Sequence, residues 1–256
     1  MPLLKTSNPA LGENTFRGQY GGGYGGLVDA TSRMTLNGTV NKTGLLLICA
    51  LATAGYTWHM FMEAGSFQGV AGLMMVGVFG GLIFGLVTSF KKEWAPVTAP
   101  IYALLEGLFL GGLSAAMNTR YPGIGIQAVS LTFGTLFVLL MAYRSGLIKV
   151  TAKFRLGVIA ATGGIFFFYL AQMLLGFFGI QFASINGSGI IGIGFSLIVV
   201  AVAALNLVLD FDFIERGVAA GAPKYMEWYG AFGIMVTLVW LYIEILRLLA
   251  KMQRRN

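Results

Sequence analysis

Residues 68–90 read QGVAGLMMVGVFGGLIFGLVTSF and contain no charged side chain. A helix that crosses the hydrocarbon core of a bilayer needs about 20 mostly apolar residues, and this run is long enough. Apolar and polar residues do not alternate along it, as they would in a strand of an outer-membrane barrel. The run therefore predicts a membrane-spanning α-helix.

Similar apolar runs occur on both sides of this segment. They cover residues 43–62, 97–117, 124–143, 156–180, 189–210 and 229–250. The chain is 57% hydrophobic and 11% charged, whereas soluble proteins are roughly 45–50% apolar, glycine included, and about 25% charged. We therefore expect an all-α polytopic membrane protein, a bundle of seven transmembrane helices that has the lipid bilayer as its partner.

Three regions follow from the distribution of polar residues. Residues 1–40 are polar, and the run from Tyr20 to Gly26 is rich in glycine, which predicts a flexible cytoplasmic tail. This region lacks the apolar core of a secretory signal peptide. Residues 41–252 are expected to form the seven-helix transmembrane domain, and residues 253–256 a short basic tail.

The positions of Lys and Arg predict the orientation, because the cytoplasmic flanks of membrane spans retain positive charge. The tail and the loops on its side carry twelve of these residues, and the opposite loops carry only Arg120. We therefore expect a multi-pass protein of the inner membrane with a cytoplasmic N-terminus. With seven spans, the C-terminal basic group falls on the opposite side: Arg247, Lys251, Arg254 and Arg255. Six spans followed by a re-entrant segment would remove this exception.

The chain lacks the residues that several classes of function require. The net charge of +7 comes from residues that flank the spans, without interleaved aromatic residues, so no nucleic-acid partner is expected. A single cysteine, Cys49, and a single histidine, His59, argue against a disulfide, a metal centre and a Ser/His/Asp or Cys/His catalytic site. We expect no cofactor and no enzymatic activity.

Glycine pairs at a spacing of four residues occur in two spans. They are Gly81 with Gly85 and Gly107 with Gly111. Small residues at this spacing let helix backbones approach closely within a membrane. The pairs predict a tightly packed bundle and indicate no particular function.

Glu106 is predicted to be the most buried charge of the chain. It lies about ten residues into the third span, near the middle of the bilayer at a rise of about 1.5 Å per residue. A charge there costs roughly 2.5–3.5 kcal/mol on insertion scales. Either Glu106 is a protonated structural group that hydrogen-bonds across helices, or it ionises when water or a cation reaches it. The second alternative makes it a candidate for an ion pathway.

Two further acids lie at the end of the sixth span, where Asp210 and Asp212 point to different faces of a helix. Asp212 is four residues before Arg216, which predicts a salt bridge at the membrane boundary. Asp210 follows Asn206 by one turn, inside the apolar run. Asp210 and Asn206 are therefore the better candidates for a site that faces the interior of the bundle.

Glu244, in the last span, lies three residues before Arg247. This spacing predicts an ion pair within the helix near the outer surface. A role of Glu244 in transport remains the alternative.

Three segments together resemble the Bax inhibitor/YccA family. They are Leu105–Gly112 in the third span, Leu209–Glu215 at the end of the sixth span, and Ile245–Leu249 in the last span. The similarity covers about residues 40–252 and leaves the tail outside.

The resemblance implies a bundle in which a central last helix is surrounded by the other six. It implies a pH-sensitive leak of cations, notably calcium, and regulatory partners: bacterial relatives are linked to the membrane-bound protease FtsH, and eukaryotic ones to suppression of cell death. The family's third-span glutamate corresponds to Glu106, and its sixth-span aspartate to Asp210, or to Asp212 if the register is shifted. The family's pH-sensing pair has a second aspartate in the last span, where this chain has Thr237.

Two functions follow as expectations. The first is a pH-responsive pathway for calcium or protons that uses Glu106, Asp210 and Asn206, with Asp212, Thr237 and Glu244 as further candidate lining or gating residues. Two carboxylates and an amide offer fewer oxygens than the six to eight that calcium prefers, so any ion site would be transient and hydrated. The alternative is a non-conducting regulator that binds a membrane protease through its tail and loops.

Overall fold

The structure, a computed structural model, describes residues 32–179 and 183–255. Residues 1–31 of the predicted tail lie outside the described residues. The helices are α1 (Leu36–Ala64), α2 (Gln68–Phe90), α3 (Ala95–Arg120), α4 (Ile124–Arg144), α5 (Ala152–Phe177), the short α6 (Ala183–Asn186), α7 (Ile190–Ala219) and α8 (Met226–Arg255). A 3₁₀ turn, Lys92–Trp94, leads into α3.

Seven of the described helices are long and apolar enough to cross a membrane. This confirms the prediction of an all-α polytopic bundle. The last segment, α8, is one uninterrupted helix of 30 residues, about 45 Å long at 1.5 Å per residue. The described structure therefore favours seven spans over six spans and a re-entrant segment.

The last helix is the most buried of the seven. In its most apolar stretch, 67% of the residues are buried inside the protein, against 39% in the segment Lys92–Arg120, which ranks second. Among the seven described long helices, the last one therefore has the largest buried share in its apolar stretch.

The helix ends differ from the predicted ones for local reasons. The first helix begins at Leu36, inside the predicted tail, because Thr35 is its N-cap and accepts a hydrogen bond from Gly38 N at 3.0 Å. It ends at Ala64, and the C-cap Gly65 has a φ of 60°, a left-handed conformation that glycine adopts without strain. At the other end of the chain, the predicted basic tail continues α8 as far as Arg255.

The chain forms two compact units. The first contains α1, α2 and α3 up to Ala116, with Asp210–Val236 from α7 and α8. Inside it, a core cluster joins Phe61 of α1 to Val70 and Met74 of α2 and to Ala115 of α3.

The second unit contains Met117–Leu209 and the chain from Thr237 onward. Its core cluster consists of Ile165, Val199 and Val202, with Trp240 of α8 packed against them.

Candidate functional site

Glu106 lies against a glycine of α2. It is half-buried, whereas Asp210, Glu227 and Glu244 are at most 2% exposed, so the prediction that it is the most buried charge is wrong. The Tyr102 hydroxyl, one turn earlier on α3, forms a hydrogen bond with the Glu106 carboxyl group. A Cβ atom at Gly81 would lie only 2.8 Å from Glu106 Oε1, and one at Gly77 would lie 2.7 Å from the Leu105 carbonyl oxygen. The carboxyl group therefore occupies space that any other residue at position 81 would fill.

Tyr102 connects Glu106 to an aromatic cluster. Its ring is 5% exposed and packs edge-on against Phe232 of α8, with the ring centroids 5.0 Å apart. A Cβ atom at Gly85 would lie 3.4 Å from Tyr102 Cε2. The pair Gly81 and Gly85 thus brings α2 close to α3, which confirms the close packing predicted from the spacing of the pair. The residues of α3 that it contacts are Glu106 and Tyr102.

Asp210 lies in the same unit as Glu106 and is 2% exposed. Helix α7 continues to Ala219. Asp210 therefore lies well inside a helix, whereas the sequence analysis placed it at the end of the sixth span. Asp212 forms the predicted salt bridge with Arg216, at 2.7 Å. The two aspartates therefore differ, since Asp212 pairs with Arg216 and Asp210 is buried.

Asn206 and Thr237 both belong to the second unit. Asn206 is 7% exposed, and its amide donates to Thr162 Oγ1 at 2.8 Å and to the Val202 carbonyl oxygen at 2.9 Å. The bond to Thr162 joins α7 to α5, and the bond to Val202 lies within α7. Thr237 is 4% exposed. Both side chains are buried, as a site in the interior requires.

Glu244 forms the predicted ion pair with Arg247, at 3.0 Å. The structure adds Tyr169 of α5, whose hydroxyl donates to Glu244 Oε1 at 3.1 Å and accepts from Arg247 Nη1 at 2.6 Å. Glu244 is only 2% exposed. The Glu244 carboxylate is therefore buried within the second unit, whereas the Arg247 side chain is 42% exposed.

Lys251 also forms hydrogen bonds within the protein. Its ammonium group donates to the carbonyl oxygens of Ile185 and Gly192, at 2.8 and 3.1 Å, and to Ser196 Oγ at 2.9 Å. Arg247 and Lys251 are thus two of the four C-terminal basic residues whose position conflicts with the charge rule for seven spans.

The structure also identifies Glu227, in the first turn of α8, which the sequence analysis did not select as a candidate. Its side chain is 0% exposed. Glu227 Oε1 accepts from Thr35 N at 2.9 Å, from Thr35 Oγ1 at 2.8 Å and from Lys224 Nζ at 2.9 Å, and Glu227 Oε2 pairs with Lys42. An acid in the first turn of an apolar run was the available signal, since a helix N-terminus favours negative charge. We call these four residues the Glu227 clasp.

Backbone contacts surround the clasp. Met34 N donates to the Ala222 carbonyl oxygen at 2.7 Å, and Lys224 N donates to the Ser32 carbonyl oxygen at 2.9 Å. A Cβ atom at Gly38 would overlap the Glu227 carboxylate. The segment that precedes α1 is therefore joined to the start of α8.

Comparison with known proteins gives one match. The family model described as Bax inhibitor 1 like matches residues 6–254, which include Glu106, Asp210 and Glu227. No curated protein and no solved structure matches the chain. Since the match extends over nearly the whole sequence and all seven long helices, this integral membrane protein belongs to the Bax inhibitor 1 like family.

Proposed function

We propose that the protein provides a slow, pH-responsive pathway for cations, calcium or protons, in which Glu106 and Asp210 are the essential carboxyl groups. The observation that carries the proposal is the position of Glu106, which lies in an apolar span with its carboxyl group against Gly81. A second acid, Asp210, is buried in the same unit. Ionisable residues inside membrane spans usually mark pathways for ions or protons.

The chemistry follows from the cost of an isolated charge in an apolar surrounding. A carboxyl group there is stable when it is protonated or when a cation accompanies it, so protons and cations compete for it. That competition makes the flux depend on pH. Calcium would cross with much of its hydration shell, because the two carboxyl groups supply fewer oxygens than it prefers. No enzymatic step and no resident cofactor belongs to this proposal.

Flux measurements test the role of the two acids. We expect purified protein in liposomes to conduct calcium or protons, and Glu106→Gln or Asp210→Asn to change the flux by about tenfold, which corresponds to about 1.4 kcal/mol in a barrier. Each substitution removes a charge and keeps the shape of the side chain. Fluorescent indicators inside the liposomes, read over a range of external pH, provide the measurement.

The control is Glu63→Gln, which neutralises a side chain that is 69% exposed and should leave the flux unchanged. Flux from wild-type protein that equals that of empty liposomes would refute the proposal. Equal flux from the wild type and both core variants would exclude Glu106 and Asp210 from the pathway.

The Glu227 clasp supports a second candidate function, the regulation of a membrane-bound protease. The clasp joins Thr35, near the end of the predicted tail, and Lys42, just after it, to the first turn of α8. A partner that binds the tail would therefore act close to the most buried helix. The larger number of basic residues on the side of the N-terminus supports a cytoplasmic N-terminus, which both candidate functions assume.

Deletion of the tail distinguishes the two candidates. The deletion must end at residue 31, because Thr35 caps α1 and residues 36–40 are helical. We expect the shortened protein to keep the ion flux and to lose co-purification with a membrane protease. Retention of the protease by the shortened protein would contradict regulation through the tail.

A further inference from the structure

The connection between α4 and α5 carries exposed positive charge. Residues 144–155 read RSGLIKVTAKFR and contain four basic residues and no acid. The side chains of Arg144, Lys149 and Lys153 are exposed, and none of the three forms an ion pair within the described residues. We call these three residues, together with Leu147, the basic loop.

Several basic side chains elsewhere in the described chain have a carboxylate beside them. Lys42 and Lys224 pair with Glu227, and Arg216 pairs with Asp212. The rule that basic residues flank membrane spans on the cytoplasmic side applies to these residues as well. That rule therefore explains the side on which the basic loop lies, but not why its charges have no acidic partner in the described residues.

The second unit, which contains the basic loop, holds few acids. Residues 107–209 contain neither Asp nor Glu. Glu244, the acid in the part of α8 that belongs to this unit, is paired with Arg247. The tail does not supply an excess of negative charge either, since residues 1–31 contain two acids and two basic residues. An anion from outside the chain is therefore needed to balance the basic loop.

Helix stability does not explain the position of Lys153. It lies in the first turn of α5, which begins at Ala152, and this turn contains no acid. The N-terminus of a helix carries partial positive charge, so it favours anions and disfavours a lysine. A lysine at this position therefore costs stability in the helix itself.

Leu147 lies at an exposed turn between these cations and is 82% exposed. The chain turns at Gly146, whose φ of 76° is left-handed, and Ile148 N donates to the Ala142 carbonyl oxygen at 3.2 Å. Thr151 then caps α5. The turn thus has a defined backbone that leaves a large apolar side chain between Arg144 and Lys149.

We propose that the basic loop binds the headgroups of anionic phospholipids. The loop joins two helices that are long and apolar enough to cross a membrane, so it lies at a bilayer surface. Cationic side chains contact the lipid phosphates, and Leu147 enters the apolar boundary below them, which is how basic segments with apolar side chains bind anionic bilayers. The side predicted to be cytoplasmic is the one whose leaflet carries anionic lipids. This binding does not depend on the proposed ion pathway.

Native mass spectrometry of the full chain, released from neutral detergent micelles, tests the proposal. Phosphatidylglycerol is compared with phosphatidylcholine of the same acyl chains. We expect the wild type to retain phosphatidylglycerol at about tenfold lower lipid concentration, since each basic residue near an anionic surface contributes about 1 kcal/mol. Equal retention of the two lipids by the wild type would overturn the proposal and favour an acidic protein segment as the partner.

The variant Lys149→Gln/Lys153→Gln tests the residues. We expect it to weaken retention of phosphatidylglycerol by about fivefold for each lysine removed, and to leave retention of phosphatidylcholine unchanged. Both side chains are exposed, and elution as a single species in gel filtration checks that the variant is folded. Unchanged retention of phosphatidylglycerol would overturn the proposal.

The matched control is Arg254→Gln/Arg255→Gln, which removes two exposed positive charges from the end of α8. We expect it to retain phosphatidylglycerol as the wild type does. The same loss in both double variants would mean that the net charge of the protein, and not the basic loop, attracts the lipid.

Leu147→Ser and inorganic phosphate distinguish a lipid from a free anion. We expect Leu147→Ser to weaken retention of phosphatidylglycerol several-fold, because the apolar contact with the bilayer is lost. Inorganic phosphate at millimolar concentration should not displace the lipid. Displacement by inorganic phosphate, or full retention by Leu147→Ser, would contradict a lipid-binding loop.

Discussion

The double substitution Lys42→Met/Lys224→Met should lower the free energy of unfolding by about 3–5 kcal/mol, the usual cost of a buried charge that has lost its partners. Glu227 is 0% exposed, and these two lysines are the cations that pair with it. After the substitution, the bonds from Thr35 remain, but neutral donors do not offset the charge of a buried carboxylate. Unfolding by dodecyl sulfate in mixed micelles, followed by tryptophan fluorescence, measures the effect.

A triple variant isolates the charge of Glu227 as the cause. Adding Glu227→Gln to the two lysine substitutions removes the negative charge and keeps an oxygen that accepts from Thr35. We expect it to recover most of the lost stability. The control Lys149→Met/Lys153→Met, at two exposed lysines, should change the stability by less than about 0.5 kcal/mol each. If both double variants were equally stable, the clasp would contribute nothing to stability.

Replacement of Gly107 and Gly111 by alanine should destabilise the protein by about 1–3 kcal/mol at each position, the usual cost of overpacking. A Cβ atom at Gly107 would overlap the Ala50 carbonyl oxygen, and one at Gly111 would overlap the Ala54 carbonyl oxygen. These are backbone atoms of α1, which a change of rotamer does not move. The same unfolding assay measures each single variant and the double variant.

Gly72→Ala is the matched control for this pair. Gly72 is also helical and exposed, and no heavy atom lies within 4 Å of a Cβ atom at this position. Alanine there should stabilise the protein by up to about 1 kcal/mol, because glycine is the weaker helix former. Destabilisation of the same size at Gly72 and Gly107 would mean that the close approach of α3 to α1 is not the cause.

The Glu227 clasp shows why part of the site escaped the sequence analysis. Its bond from Thr35 to Glu227 joins residues 192 positions apart, and no local spacing reveals such a pair. The ion pairs Asp212 with Arg216 and Glu244 with Arg247 were predictable, because residues three or four apart share one face of a helix. Tyr169, which completes the second pair, is 78 positions from Arg247 and was not.

The glycine pairs also combine a feature that the sequence predicts with one that only the packing reveals. The spacing of Gly81 with Gly85 and of Gly107 with Gly111 predicted close helix contacts. It did not indicate that the first pair contacts Glu106 and Tyr102, or that the second pair contacts the backbone of α1. The candidate role of Gly81 beside a carboxyl group therefore depends on the packing of α2 against α3.

By itself, the sequence determined the seven apolar helices, the membrane as their surroundings and the ion pairs within single helices, because hydrophobic length and helical periodicity are local properties. Only the tertiary structure decided which acids are enclosed and by what. It placed Glu227 in a clasp and Glu106 against a glycine. The physical reason is that burial and hydrogen-bond partners depend on segments far apart in the sequence, which come together only when the helices pack.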